Sequence, residues 1–194
     1  MSSGLHADQE AYSKATLGTW LYILSDFLFF GVLFAVYAFF QDLKLANELY
    51  RLNYTFYATL LLLISSASAG LAGAYLHRRN RPYTLVYFLC AFFFGACFLT
   101  IECSNLVTIF NKGYSWESSA FFSAYFTLII THGLHVAFCL FWMIVLLFPL
   151  FFQGIRPRDV RRLTCFRMFW QFLNIVWIFI FTIVYLMGVE GIYV

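Results

Sequence analysis

The chain alternates long apolar stretches with short polar connections. A helix needs about 20 predominantly apolar residues to cross roughly 30 Å of hydrocarbon, and five stretches meet that length: residues 17–40, 54–76, 84–110, 118–152 and 165–188. The fourth stretch is longer than one crossing requires, so we expect it to be tilted or to project beyond the bilayer. The pattern predicts an all-α integral membrane bundle of five transmembrane helices, forming one domain over residues 17–194 after a tail over residues 1–16.

Composition supports a membrane protein. Of the 194 residues, 63% are hydrophobic and only 11% are charged, which is too few charges to cover a soluble globule with polar surface. The tail lacks the apolar core and cleavage site of a signal peptide, so we expect the first stretch to be retained as a helix. The cysteines lie in or beside the apolar stretches without a C-x-x-C pair, which is typical of small apolar residues. They are Cys90, Cys97, Cys103, Cys139 and Cys165.

Positive charges are distributed unevenly between the two ends of the predicted helices. One side collects Lys14, Arg78, Arg79, Arg81, Arg156, Arg158, Arg161 and Arg162, whereas the other has Lys44, Arg51 and Lys112. Lys and Arg near helix ends are retained on the cytoplasmic face. We therefore predict a cytoplasmic N-terminus and a periplasmic C-terminus, Glu190 to Val194.

The arginine clusters have a second expected role at the membrane surface. Arg78, Arg79 and Arg81 are positioned to contact anionic lipid head groups. Topology already explains the clusters and no recognition module lies nearby, so the sequence predicts no nucleic-acid partner.

The second apolar stretch carries small residues at four-residue spacing. The repeats are Ser66, Gly70 and Ala74, and separately Ala69 and Gly73. Small residues at this spacing let helix backbones approach closely. They predict a helix-packing face, and Ala91 and Gly95 in the third stretch indicate a weaker version of it.

Strongly polar side chains lie inside four of the predicted helices, where water cannot satisfy them. They are Asp26, Glu102, His132, His135, Gln171 and Asn174. At 1.5 Å rise per residue, Asp26, Gln171 and Asn174 lie roughly 12, 9 and 14 Å from the cytoplasmic ends of their helices. These three predict an inner polar node, and the other three predict a second buried polar node.

His132 and His135 are separated by three positions, so both rings project to the same side of a helix. Haem ligation usually needs histidines on facing helices, which disfavours a haem or metal site here. We expect a hydrogen-bonded pair that ties its helix to Glu102 or to a neighbouring subunit. Ionised carboxylates are costly in hydrocarbon, so Glu102 is expected to be neutral, either exchanging protons with water or only bonding a neighbouring helix.

Three stretches of the sequence resemble motifs of a known protein family. Residues 20–26 read WLYILSD, residues 131–136 read THGLHV, and residues 169–177 read FWQFLNIVW, followed by VYLMG at 184–188. Together they resemble subunit III of the haem-copper respiratory oxidases over nearly the whole chain. Five helices, a short tail and the YLMG ending look most like the subunit of the cytochrome bo-type ubiquinol oxidases, rather than the seven-helix subunit of mitochondrial cytochrome c oxidase.

The resemblance implies an accessory subunit of a bacterial proton-pumping quinol oxidase in the inner membrane. Haem and copper in that family belong to subunit I, so the resemblance implies no catalytic site, haem or metal in this chain. It implies subunit I as the main partner, subunits II and IV as further partners, and a cleft that holds phospholipid. It also implies ionisable residues at positions that hold Asn105, Gln171 and Asn174 here.

Other classes of protein stay open at this point. The chain could belong to a cytochrome c oxidase, since the electron-donor site would lie in another subunit. A haem b or quinone-binding anchor would need histidine ligands on two helices, which the sequence does not supply. A small solute carrier is disfavoured because no internal repeat and no broken helices at matched positions are evident.

Overall fold

The computed structural model describes residues 2–40, 52–114 and 116–186, and this part of the chain is helical without strands. The helices are α1 (Ser2–Phe39), α2 (Leu52–His77), α3 (Arg81–Asn111), α4 (Ala120–Gln153) and α5 (Pro157–Ile180), which continues as a π-helical segment (Phe181–Leu186). All five are long and apolar enough to cross a membrane. The predicted five-helix architecture is therefore confirmed. Lys44, Arg51, the end of the fifth stretch at 187–188 and the C-terminal residues 190–194 lie outside the described residues.

Two helices begin earlier than the apolar pattern indicates. The backbone of α1 is helical from Ser2, through the predicted tail, because residues 5–16 contain neither proline nor glycine. Helix α5 begins at Pro157 rather than at residue 165. Proline is favoured in the first helical turn, and the Asp159 carboxylate accepts a hydrogen bond from the Arg156 backbone N–H at 3.1 Å. The predicted connection over 153–164 thus shrinks to residues 154–156.

Helix α4 is bounded by specific caps and spans about 51 Å over its 34 residues. Ser119 accepts a hydrogen bond from the Phe121 N–H at 3.1 Å. At the other end the Arg81 guanidinium donates to the carbonyl of Phe151, one of the last carbonyls of α4. Arg81, predicted to contact lipid, therefore joins the start of α3 to the end of α4, and all three of Arg78, Arg79 and Arg81 are exposed.

Helix α5 occupies the middle of the bundle, in contact with α1, α2 and α4, while α2 and α3 form a closely packed hairpin. Half of an apolar 18-residue segment of α5 is buried inside the chain, against 11% of the corresponding segment of α1. The outer face of α1 is therefore left for lipid or for other chains.

The predicted packing face of α2 lies mainly against α5. A Cβ added to Gly73 would overlap the side chain of Arg167, and one added to Gly70 would lie 3.6 Å from the Gln171 amide nitrogen. Ala69 is completely buried. Gly70 and Gly73 therefore make room for the Gln171 and Arg167 side chains of α5.

Ala74 is exposed within this chain, so its predicted role in helix packing stays a prediction. Positions four residues apart advance by about 40° around a helix, so the third member of the Ser66 series turns away from α5. The weaker series in α3 does pack: Ala91 is buried, and a Cβ on Gly95 would lie 2.9 Å from the ring of Trp170.

Candidate functional site

Asp26 of α1 and His135 of α4 face each other between their helices, at a distance too long for a hydrogen bond. The distance from His135 Nε2 to Asp26 Oδ2 is 3.6 Å, and 13% of the Asp26 side chain is exposed. His135 Nδ1 lies 2.8 Å from the Thr131 carbonyl oxygen, which can only accept, so Nδ1 carries the hydrogen. In a neutral ring Nε2 would then be an acceptor facing the carboxyl group. An attractive contact requires a proton on Nε2 or on the carboxyl.

Phe30 covers this pair from one turn further along α1. Its ring centroid lies 5.4 Å from that of His135 and 6.4 Å from that of His132. The Phe30 side chain is itself almost completely buried. The pair is therefore enclosed by an aromatic wall that limits the access of water, which strengthens the electrostatic interaction between the two groups.

His132 belongs to an interior seam, which we define as Thr59, His132, Leu173 and Trp177. His132 Nε2 lies 3.2 Å from the Leu173 carbonyl oxygen, to which it donates, and its ring lies 5.2 Å from that of Trp177. Trp177 Nε1 in turn donates to Thr59 Oγ1 at 3.0 Å. The seam links α4, α5 and α2 by hydrogen bonds made deep inside the bundle.

The two amides of α5 are engaged in packing. Gln171 Nε2 donates to the Ser66 carbonyl at 3.2 Å, and the Ser66 hydroxyl donates to Gln171 Oε1 at 3.3 Å. Asn174 Nδ2 donates to the Trp170 carbonyl of its own helix at 2.8 Å. The Gln171 pair therefore adds a reciprocal bond between α2 and α5, while Asn174 bonds locally.

Glu102 borders a cavity of about 190 Å³ between α3 and α4. Its side chain is 4% exposed, and neither carboxyl oxygen has a hydrogen-bond partner of acceptable geometry in the described part of the chain. His132 and Gly133 line the same cavity, which is otherwise almost entirely apolar. A neutral carboxyl there carries one donor and one acceptor that the described residues leave unused.

A groove between α1 and α5, the α1–α5 groove, combines a polar end with an apolar end. Its polar end is a cavity of about 420 Å³ bordered by Trp20, Arg167 and Gln171. Its apolar end is a cavity of about 320 Å³ lined by aromatic and aliphatic side chains, among them Phe27, Phe34 and Phe179. The two cavities share Phe172 and Ile175 as lining residues.

Arg167 is half-buried in a helix long enough to span the membrane. Within the ranges 2–40, 52–114 and 116–186 it makes neither an ion pair nor a hydrogen bond. A cation at membrane depth is costly unless an anion or water reaches it. The α1–α5 groove is where such a group has room.

The chain can be placed among known proteins by similarity of sequence. No protein-family model matches the chain. Curated relatives align along most of it: the cytochrome bo(3) ubiquinol oxidase subunit 3 of Buchnera aphidicola subsp. Schizaphis graminum is 39% identical over 89% of this chain and 93% of its own length. The protein of the same name from Pseudomonas putida is 36% identical over 89% and 86%. A cytochrome c oxidase subunit 3 from Bacillus sp. (strain PS3) is 34% identical over 90% and 86%.

The chain belongs to the subunit III family of the haem-copper oxidases. The members of this family that it matches are components of respiratory oxidoreductase complexes. This subunit III is thus a multi-pass membrane protein and part of a multi-subunit oxidase.

The structure divides both of the predicted polar nodes. His135 pairs with Asp26 rather than with Glu102 and His132, because residues three apart differ by about 60° around a helix. That angle sends the His135 ring towards α1 and the His132 ring towards α5. Glu102 and His132 share a cavity without a mutual hydrogen bond.

The predicted inner node is also divided. Asp26 faces His135 of α4 at 3.6 Å, Gln171 bonds to α2, and Asn174 bonds to the backbone of its own helix. Gln171 and Asn174 are again three residues apart and face different surroundings. Equal depth in the membrane therefore did not bring these side chains together.

Arg167 is the functional candidate that sequence reasoning missed. The signal was present, since a charged residue lies just inside the fifth apolar stretch. The five cysteines are free thiols. Among the residues with described placement, no three His, Cys, Asp or Glu side chains converge as metal ligands, and the expectation that this chain binds no metal stays a prediction.

Proposed function

We propose that the chain is the accessory, non-redox subunit III of a bacterial proton-pumping ubiquinol oxidase of the inner membrane. It packs beside subunit I, with subunits II and IV in the same complex, and its N-terminus lies in the cytoplasm. The main support is alignment over about nine-tenths of the chain with proteins named ubiquinol oxidase subunit 3. The orientation rests on the excess of Lys and Arg at one set of helix ends.

The bonding of the two histidines supports the non-redox role. His132 uses Nε2 on the Leu173 carbonyl, and His135 uses Nδ1 on the Thr131 carbonyl while its Nε2 faces Asp26. Each ring thus holds a backbone carbonyl through one nitrogen, and both rings lie on α4, whereas haem ligation usually needs histidines on facing helices. We therefore assign haem and copper to partner subunit I and a structural role to these histidines.

The α1–α5 groove supports a lipid-holding role. Arg167 and Phe179 are twelve residues apart on α5, a separation of about 18 Å. This is close to half of the roughly 30 Å hydrocarbon core, so the groove matches one leaflet. A phospholipid whose phosphate lies near Arg167 and whose acyl chain lies along Phe27 and Phe34 would satisfy the cation and cover the apolar wall. Such a lipid would stabilise the contact of this subunit with subunit I.

An affinity tag on the N-terminus tests the proposed assembly. The complex is recovered in mild detergent, its visible spectrum is recorded, and its subunits and lipids are identified by mass spectrometry. We expect haem-containing larger subunits and bound phospholipid to be recovered with the chain. A lone colourless chain would overturn the proposal, and a lone chain with its own haem band would favour an electron-transfer anchor.

A second candidate function is subunit III of a cytochrome c oxidase. It is favoured by one observation, the 34% identity to the protein of that name from Bacillus sp. (strain PS3). The same purification separates the two candidates. A copper-binding extramembrane domain in a co-purifying subunit would indicate cytochrome c as the donor, whereas bound quinone without that domain would indicate quinol.

A further inference from the structure

The cavity beside Glu102 opens towards the outside of the bundle. Two of the residues at its border are well exposed: Leu134 is 65% exposed and Ile130 is 40% exposed. Cys103, beside Glu102, is also exposed. The carboxyl group therefore lies at the bottom of a recess that another molecule can enter from the α3–α4 face.

We infer that this recess receives a transmembrane helix of another oxidase subunit, which presents to Glu102 a side chain that both donates and accepts a hydrogen bond. Side chains of this chemistry are Asn, Gln, Ser, Thr and Tyr. The inference deepens the proposed function by assigning a docking face, and it rests on this chain being part of a multi-subunit complex.

The first argument is the unsatisfied carboxyl group. Glu102 is more than nine-tenths buried, and neither of its oxygens is hydrogen-bonded in the described ranges. Polar groups left unpaired in hydrocarbon are strongly unfavourable. Polar side chains inside transmembrane helices commonly bond across to another helix. The Asn105 side chain, three residues along the same helix, interacts with the carboxyl group, but outside hydrogen-bonding geometry. No facing helix among the described residues supplies a hydrogen bond, so that partner is expected from outside.

The second argument is the open space over Gly133. Added Cβ atoms on Gly73 and Gly95 would press on Arg167 and Trp170, so those two glycines make room for helices of this chain. A Cβ on Gly133 would meet only a Leu99 methyl group at 4.0 Å. Ala137 follows four residues later and also borders the recess. Small residues at this spacing allow a helix from another chain to approach closely.

A protein helix fits this recess better than a lipid does. An acyl chain would fill the apolar space but has no hydrogen-bond donor or acceptor for the carboxyl group. Glu102 also lies nine residues before the end of α3, about 14 Å along the helix from its terminus. A polar side chain carried by a partner helix can be presented at that depth.

Photo-crosslinking tests the occupant in the intact complex. A benzophenone amino acid replaces Leu134, and the complex is irradiated in membranes before purification. We expect an adduct with another subunit of the oxidase, with a yield that falls about three- to tenfold when Glu102→Leu is added. The matched control is Glu102→Gln, whose amide still donates and accepts and should leave the yield nearly unchanged. Adducts with lipid or quinone alone would overturn the inference.

Retention of the chain in the complex provides the second measurement. The oxidase is purified through a tag on its haem-containing subunit, and the amount of this chain is quantified. Glu102→Leu and Gly133→Leu should lower retention, whereas Glu102→Gln and the bulk control Ala74→Leu should not, because Ala74 is exposed on α2 and borders neither the recess nor the α1–α5 groove. Full retention of both test variants, or equal loss with Glu102→Gln, would overturn the inference.

Two further outcomes can be told apart, namely a variant that fails to fold and a failure of the proposed function. If a variant is absent from membranes because it fails to fold, the crosslink from Leu134 in the chain with Glu102 and Gly133 intact decides the question. If the unmodified chain does not co-purify with a haem-containing subunit, the proposed function itself fails before any variant is compared.

Discussion

Polar side chains of the interior seam have different surroundings from those in the Glu102 recess and the α1–α5 groove. In the seam, His132 donates to Leu173 of α5 and Trp177 donates to Thr59 of α2. In the Glu102 recess and in the α1–α5 groove, the side chains of Glu102 and Arg167 make no such bonds to the described residues. Hydrogen bonds therefore join the helices in the seam, whereas Glu102 and Arg167 border spaces that another molecule can enter. Trp170 Nε1 and Asn174 Oδ1 also lack hydrogen-bond partners among the described residues, but they lie inside the bundle.

Polar residues of the seam hold the bundle together, whereas Glu102 and Arg167 are available to other molecules. An unpaired buried group costs about 1 to 3 kcal/mol, and a molecule that enters the Glu102 recess or the α1–α5 groove can supply the missing bond. Seam residues should then affect stability of the isolated chain. Recess residues should affect what the chain retains from the membrane and from its complex.

The largest expected effect is in the seam. Trp177→Ala removes a fully buried ring and its bond to Thr59, and should lower the free energy of unfolding by about 3 kcal/mol or more. Denaturant titration of the chain in detergent measures it. The matched control is Trp142→Ala, because Trp142 is 44% exposed on α4 and should cost far less. Equal costs for the two variants would remove the distinction between the seam and the outer faces.

The Asp26–His135 pair should give the next largest effect. Asp26→Leu leaves His135 Nε2 without a partner and should cost about 1 to 2 kcal/mol of unfolding free energy. Asp26→Asn should cost much less, since its amide can donate to the neutral ring nitrogen. A double-mutant cycle with His135→Leu measures the coupling. No coupling would show that the 3.6 Å contact contributes nothing to stability.

Arg167 tests whether the α1–α5 groove retains a phospholipid head group. Arg167→Gln should weaken retention of anionic phospholipid by about fivefold, corresponding to about 1 kcal/mol for one charge near the surface. Lipid bound to the purified complex is measured by mass spectrometry. Arg162→Gln, an exposed charge on the same helix, is the control. Equal loss from both variants would indicate general surface attraction instead of a specific site.

The smallest expected effect concerns the arginines at the turn between α2 and α3. Arg81→Gln removes the contact with the Phe151 carbonyl at the end of α4 and should cost about 0.5 to 1 kcal/mol of stability. Arg78→Gln should cost less than about 0.5 kcal/mol, because the exposed Arg78 side chain makes no such hydrogen bond with the described residues. Thermal unfolding of the two variants in detergent separates them. A larger cost for Arg78 would contradict the assignment.

The sequence predicts the five helices well because hydrocarbon imposes one strong requirement, about 20 apolar residues for each crossing. It predicts the packing of Gly70 and Gly73 for the same kind of reason, since close helices need small residues. It misplaces the start of α5, because Pro157 and Asp159 begin the helix within polar sequence that hydropathy assigns to a connection.

The partners of the polar residues could not be predicted from depth alone. His132 and His135 are neighbours in sequence, yet a rotation of about 60° sends them to different helices. Which helix each ring meets depends on how α1, α4 and α5 pack, and the pattern of apolar residues leaves that arrangement undetermined. Arg167 was visible in the sequence, but its cavity exists only once α1 lies against α5.

The most direct test of the accessory role is the time course of oxidase activity with and without this chain. The complex is prepared from cells that contain or lack the chain, and oxygen consumption with quinol is followed over many turnovers. We predict nearly equal initial rates and equal haem content, with faster loss of activity when the chain is absent. An initial rate or haem content that collapses without the chain would contradict the accessory role, as would identical time courses.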